Sequence, residues 1–312
     1  MDETRVYGRV LSIQSHVVYG YVGNKAAVFP LELLGFQVDP IHTVQFSNHT
    51  GYLGGFRGKR LSSEEFDQLI AGLEANCLLQ QVDYVLMGYI GDHDLLLHIL
   101  EAVKKLKKPN LVFVCDPVMG DNGKLYVPSS LVPIYRDQVI MLADIITPNQ
   151  FELSILSEKA VGSVTEAFQA CRYLHEYRKV QNIVVTSGEY EDMDSFVILI
   201  SSDFGNQKYI QTVEKIQGSF TGAGDLSSAL ILGWYVILKG DIVAACERAM
   251  ASVHRTLVHT AAVQSPPTRW WELELIGSQL WLRNPPLGIV KTRAITLQDD
   301  NSSSQRNEKR NN

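Results

Sequence analysis

The 312-residue chain has 46% hydrophobic and 20% charged side chains, the make-up of a globular protein with a sizeable core, which excludes a disordered or fibrous one. Its net charge of −6 argues against nucleic acid as a partner, because the one dense basic run, Lys104, Lys105, Lys107 and Lys108, falls late in a predicted helix, where cations suit the dipole. No stretch reaches the roughly 18 apolar residues of a membrane span and no secretion signal opens the chain, so a cytoplasmic protein with no membrane association is expected.

Short apolar runs alternate with longer amphipathic ones. Val10 to Ile13 reads as a first strand, followed by a helix from Asn24 to Leu34 that stops at Gly35, and a strand from Gln37 to His42. Ser62 with Glu65 three residues on is a capping-box signature, and Phe66, Leu69, Ile70 and Leu73 continue it at helical spacing. Then come strand Tyr84 to Leu86, helix Asp94 to Leu106, strand Leu111 to Cys115, a further helix, and strand Ile145-Ile146 leading into helix Phe151 to Leu156. Helix Val164 to Tyr177 precedes strand Ile183 to Val185; after it, 195–200 and 208–213 read as an antiparallel pair, and 224–238 and 242–259 as two helices. The alternation predicts an α/β fold, a three-layer sandwich with a mainly parallel central sheet between helices. One domain is expected over residues 1–300, with a disordered polar tail over 301–312, where no apolar residue occurs.

Cys77, Cys115, Cys171 and Cys246 stand far apart, without the paired spacing of a zinc site, and four lone thiols fit a reducing compartment. The sequons at Asn48 and Asn301 are read as chance.

Four apolar runs end abruptly in polar residues: Gln14-Ser15-His16, Asp116-Pro117, Thr147-Pro148-Asn149 and Thr186-Ser187-Gly188. Ligands of open α/β sheets bind at the carboxyl ends of strands, so these residues would line one crevice, although each alone is equally an ordinary strand-ending turn. A second signal is Thr221-Gly222-Ala223-Gly224-Asp225 before an apolar helical run. Small residues at a helix start make an anion hole of unpaired N–H groups, and an acid at its mouth is placed to take a proton from an attacking hydroxyl. By itself the motif reads more readily as a turn and a helix cap. Walker A, dinucleotide-binding, serine hydrolase and zinc protease motifs are absent.

Those residues resemble the ribokinase-like kinases, for which Gly-x-Gly-Asp before a small-residue helix is a signature, and within them the pyridoxal kinases. The matching stretches are Arg9 to His16, Gly20 to Lys25, Val44 to Tyr52, Cys115 to Asp121, Tyr126 to Pro128 and Ile146 to Glu152, and the resemblance runs from about Arg9 to Arg283. It implies an ATP-dependent kinase of the 5′-hydroxymethyl group of pyridoxal, extending to pyridoxine and pyridoxamine. Asp225 would be the general base, and Gly222, Ala223 and Gly224 would neutralise the migrating phosphoryl group. Ser15, Val22, Thr50 and Tyr89 would hold the substrate ring. Asp116, Tyr126, Asn149, Thr186, Ser187, Ile216 and Thr221, with Gly222 and Gly224, would bind ATP. Asp121 and Glu152 would organise Mg²⁺ or another divalent cation, directly or through water, and Asp116, Thr147 and Thr186 a monovalent cation, K⁺ or Na⁺. Residues 51–60 would form a flap over the substrate. A homodimer is implied as well. His16 and His49 are read as structural, since the chemistry already has its base.

Two features depart from the family pattern. Ala223 stands where pyridoxal kinases usually carry threonine, which keeps a backbone donor and loses a hydroxyl, so weaker ATP binding is expected. The acidic segment 188–195 does not match. A kinase for another hydroxymethyl heterocycle, such as hydroxymethylpyrimidine, and a non-catalytic vitamin B6-binding protein are the alternative readings.

Overall fold

The computed structural model describes residues 5–190, 193, 195–264 and 271–295; the polar tail expected over 301–312, its sequon at Asn301, and Glu191, Asp192 and Asp194 of the acidic segment lie outside them. The strands are β1 (Arg9–Val17), β2 (Gln37–Phe46), β3 (Gly58–Arg60), β4 (Tyr84–Met87), β5 (Val112–Cys115), β6 (Gly120–Asp121), β7 (Lys124–Leu125), β8 (Ile145–Ile146), β9 (Asn182–Gly188), β10 (Phe196–Ser202), β11 (Gln207–Val213), β12 (Phe220–Thr221), β13 (Trp271–Glu272) and β14 (Lys291–Ala294). The helices are α1 (Asn24–Leu33), α2 (Ser63–Ala75), α3 (His93–Leu106), α4 (Leu131–Ile134), α5 (Gln150–Ser157), α6 (Val164–Arg178), α7 (Ala223–Ile237), α8 (Ile242–Val263) and α9 (Gln279–Arg283).

Among the described residues one 10-stranded sheet runs in the order β14-β11-β10-β9-β8-β5-β4-β1-β2-β3. From β2 through β9 the neighbours are parallel, and antiparallel strands close both edges. Successive side chains on a strand point to opposite faces. Leu11 and Ile13 of β1, Val85 and Met87 of β4, and Ile183 and Val185 of β9 therefore pack with α2, α3, α5 and α6. Val10, Leu86 and Val184 turn the other way, onto α1, α7 and α8. Both faces are covered, so the central strands read as continuous apolar runs and the fold has three layers. Fully burying one such aliphatic side chain is worth about 1.5–3 kcal/mol, and cutting Ile13 back to Ala would cost about 2–5 kcal/mol.

The helices start where their caps dictate. The Ser62 hydroxyl accepts from Glu65 N at 3.2 Å while Ser62 N donates to Glu65 Oε2 at 3.0 Å, the reciprocal pair expected at α2. The same device opens α5, with Asn149 and Glu152. Asp92 caps α3, and Lys104 and Lys105 lie in its last turn.

The structure lengthens several strands beyond the expected limits; β2 runs on from His42 to Phe46, and β1 and β9 take in polar residues. Gln14, Ser15 and His16 lie inside β1, not after it, because β2 keeps pairing alongside as far as Val17↔Phe46, with a bulge between Gln14 and His16. Thr186, Ser187 and Gly188 likewise belong to β9, which β10 accompanies to Val197↔Gly188. Polar side chains do not end a strand while a partner still completes its ladder. The expected flap is divided: its end, Gly58–Arg60, is β3, paired antiparallel with β2. The helix expected after β5 is one short turn, α4, followed by a π-helical turn at Tyr135–Val139.

Candidate active site

α7 is preceded by Gly222 at its N-cap, whose φ of 85° is left-handed and whose would-be Cβ would lie 1.9 Å from the carbonyl oxygen of Tyr21. Only glycine fits there, because any side chain would meet backbone. The turn brings Ala223, Gly224 and Asp225 onto the first turn of an apolar helix, where N–H groups have no intrahelical acceptor.

Asp225 is reached from two sides. Its carboxylate accepts from the Gly23 N–H, and Gly23 packs so closely on β1 that a Cβ would fall 2.3 Å from Ser15 Oγ. On the other side a Cβ at Gly224 would stand 3.9 Å from Asp116 Oδ2. The acid, the glycine turn, Ser15 and Asp116 are thus one cluster, built from the tips of β1 and β5 and the start of α7.

The electrostatics of this cluster are unfavourable to its own charges. Burial pushes the Asp225 carboxyl up to about 6, against the Gly23 N–H. Asp116, 6% exposed, is raised well above the ordinary carboxylate range by burial and then by Glu152 and Asp225, while the Ser228 hydroxyl pulls the other way. Ser228 is three residues after Asp225 and so on the same helix face. Burial lifts Glu152 to about 7; hydrogen bonds from Asn149, Met119 and Gly120 oppose this, and the Asp121 charge adds to it.

Glu152 Oε1 accepts from Met119 N at 2.9 Å and Gly120 N at 3.4 Å, and its Oε2 accepts from Asn149 N at 2.9 Å. Asn149 Oδ1 accepts from Glu152 N at 2.8 Å and its Nδ2 donates to Gly120 O at 2.8 Å. The two residues therefore hold the start of α5 against β6, which carries Asp121. That carboxylate is exposed and accepts from Asn122 N at 2.8 Å and Asn122 Nδ2 at 3.0 Å. The hydroxyl of Tyr126 is raised by partial burial and then by the charges of Asp121 and Glu152.

Thr147 N donates to Cys115 O at 3.0 Å and Thr186 N to Pro148 O at 3.0 Å, so Asp116, Thr147 and Thr186 occupy the adjacent tips of β5, β8 and β9. The Thr147 hydroxyl is buried and meets no hydrogen-bond partner among the described residues. Ser187 follows Thr186 in β9 and is half-buried. Val22 and Tyr89 pack in one apolar cluster with Val17, Val44, Phe46 and Phe56. Thr50 is exposed in the turn between β2 and β3. Ile216 is half-buried between β11 and β12, and no hydrogen bond or apolar cluster among the described residues ties it to the others. Thr221 ends β12, in parallel register with Glu272 of β13.

Sequence reasoning missed three participants. Gly23 stands in the sequence only as part of a matched stretch, yet it packs on Ser15 and gives its N–H to Asp225. Ser228 had a usable signal, its helical spacing from Asp225. Glu272 had none, lying in a two-residue strand 251 positions from the Tyr21 amide it binds. Among the described residues no group of three or more His, Cys, Asp or Glu is assembled to hold a metal, so a cation here would draw on hydroxyls, water and phosphate as well.

Residues 64–267 match the family model described as phosphomethylpyrimidine kinase. The pyridoxal kinase of Arabidopsis thaliana is 44% identical over 92% of this chain and 94% of its own length, and that of Homo sapiens is 38% identical over 91% and 98%. A solved structure of pyridoxal kinase from Leishmania donovani in complex with ADP and pyridoxamine superposes with a TM-score of 0.85 at 35% identity, covering 93% of this chain and all of that one.

Proposed function

This chain belongs to the pyridoxal kinase family, whose ribokinase-like fold it shares, and from that membership we propose how it moves the γ-phosphoryl group of ATP to the 5′-hydroxymethyl group of pyridoxal. It is an ATP-dependent kinase of vitamin B6 compounds. Leishmania structures hold ADP with pyridoxamine and with pyridoxine, which supports use of all three alcohols here.

The observation that carries the mechanism is the joint placement of Asp225, the glycine turn, Ser15 and Asp116. In our reading Val22 and Tyr89 face the ring, Ser15 and Thr50 bond its polar atoms, and the 5′-hydroxyl points at Asp225. A carboxylate lifted to about 6 is ionised at neutral pH and a stronger base than an ordinary one, which suits proton abstraction. The N–H groups of Gly222, Ala223 and Gly224 meet the charge on the phosphoryl group as it moves, aided by the α7 dipole. Asp116, Tyr126, Asn149, Thr186, Ser187, Ile216 and Thr221 line the nucleotide side.

The donor set fits cations. Asp116, Asp121, Glu152 and Asp225 raise one another or their neighbours, and a cation among them would relieve that repulsion. Hard oxygen ligands suit Mg²⁺, which would offset phosphate charge; Asp121 and Glu152 would hold it, Glu152 through water, since its oxygens already serve backbone N–H groups. Asp116, Thr147 and Thr186 suit K⁺ or Na⁺, and the buried Thr147 hydroxyl, without a hydrogen-bond partner among the described residues, supports this. Cytoplasmic residence is supported by four free cysteines, three of them buried. Among the described residues no helix is long and apolar enough to cross a membrane. Homodimerisation, and a single domain over 1–300, belong to the same reading.

The test is a substrate panel with MgATP. Pyridoxal should give pyridoxal 5′-phosphate, and Asp225→Asn should lower kcat by about 10²–10⁴-fold. Turnover of hydroxymethylpyrimidine in preference to every B6 alcohol, the reading the matched family model's description favours, would overturn the assignment, as would tight pyridoxal binding without product.

A further inference from the structure

Glu272 receives more hydrogen-bond donors than its place in a two-residue strand requires. Its Oε2 accepts from the backbone N–H of Tyr21 at 3.0 Å, and its Oε1 from the Tyr52 hydroxyl at 2.9 Å. His49 Nε2 faces the same Oε1 at 3.3 Å. Gly51 N–H donates to His49 Nδ1 at 3.1 Å, so Nδ1 accepts and the ring hydrogen sits on Nε2, towards the carboxylate. The approach is close enough that a Cβ on Gly20 would lie 2.2 Å from Oε2. Burial opposes the charge of Glu272, yet the contacts with His49, Tyr52 and the Tyr21 amide outweigh it and hold the carboxyl below the ordinary glutamate range.

These donors come from the two segments that carry the ring-binding residues. Tyr21 precedes Val22 and Gly23, the latter giving its N–H to Asp225, and His49 and Tyr52 flank Thr50 in the turn between β2 and β3. Glu272 itself is in register with Thr221, next to Gly222, and the Tyr21 carbonyl lies against Gly222. One carboxylate thus joins both substrate loops to the strand that leads into the anion hole.

We infer that Glu272 is a positioning residue that fastens the Tyr21–Gly23 and His49–Tyr52 segments to the glycine turn, setting the ring pocket for the alcohol without touching the nucleotide. The inference rests on the proposed pyridoxal kinase reading for its substrate. Three donors converge on the carboxylate, whereas an amide offers one acceptor oxygen and turns its own N–H groups towards one set of donors. Glu272→Gln keeps the shape and loses the match; Tyr52→Phe removes one strut.

Steady-state kinetics of the full chain with pyridoxal and with ATP varied separately would test it, alongside hydrogen–deuterium exchange of the ligand-free protein. Glu272→Gln should raise KM for pyridoxal by about tenfold to a hundredfold, with kcat reduced less and KM for ATP within about twofold. Tyr52→Phe should shift the same constant in the same direction by a smaller factor, and the double variant should be no worse than Glu272→Gln. Exchange should quicken in peptides covering 18–24 and 47–57 and not in the sheet. Unchanged exchange and unchanged pyridoxal KM in both variants would overturn the inference, as would an equal rise in both KM values. Absence of product from the unmodified protein would instead refute the substrate assignment, and the exchange comparison would still decide whether Glu272 holds the loops.

Discussion

Burial lifts the Asp225 carboxyl to about 6 from 3.8, and this has a thermodynamic consequence separable from catalysis. Between those values the folded chain keeps a proton that the unfolded chain has lost, so stability contributed below pH 3.8 is lost as pH rises through 6. In chelator-treated, ligand-free protein, Asp225→Asn should therefore raise the melting temperature at pH 8, by the equivalent of roughly 1–3 kcal/mol, and the advantage should shrink towards pH 4. Thermal unfolding of both proteins across that range checks it; a variant less stable at pH 8 would contradict the electrostatic account. Ala223 is the other informative position. It keeps an N–H donor but has no hydroxyl, so Ala223→Thr should lower KM for ATP several-fold, as one hydrogen bond to a charged group allows, and leave KM for pyridoxal alone. Asp225 and the glycines were legible in the sequence because an acid after small residues before an apolar helix has a local chemical meaning. Glu272 was not, because its partners at Tyr21, His49 and Tyr52 are brought to it only by the closed fold.

Three helices, α2, α5 and α6, begin with the same capping box, and at α2 and α5 it serves different ends. At α2 the Ser62–Glu65 pair is exposed and its bonds stay within the cap, whereas at α5 the Asn149–Glu152 pair also anchors β6 through Gly120 and Met119. Ser62→Ala should cost about 1 kcal/mol of stability with kcat unaltered. Asn149→Ala should cost a similar amount and lower kcat as well, because α5 then loses its hold on the Asp121 hairpin. Denaturant melts paired with turnover assays separate the two outcomes. All three boxes show as Ser or Asn followed three residues later by Glu. Strand limits were less legible: β1 and β9 run on through polar residues because β2 and β10 supply partners, and local composition carries no record of those partners. The short β12–β13 pair left no periodicity to detect.

Across the molecule, the parallel strands deliver Ser15, Asp116, Thr147 and Thr186 to one edge of the sheet, and α7 faces them with Asp225. This arrangement was legible as apolar runs ending in polar residues, since ligands of such sheets gather at strand ends. It concentrates acidic groups that cations would relieve. Chelation of divalent metal should abolish turnover and Mg²⁺ restore it, while replacing K⁺ and Na⁺ by tetramethylammonium should slow the reaction several-fold, because the buried Thr147 hydroxyl has no hydrogen-bond partner among the described residues. The most direct test of the account is single-turnover transfer of labelled γ-phosphate from ATP to pyridoxal by the unmodified chain and by Asp225→Asn. Rapid labelling of the 5′-oxygen by the first, with a rate lower by at least about a hundredfold in the second, is the result expected of a base at the mouth of the glycine turn. Equal rates in the two proteins would contradict it.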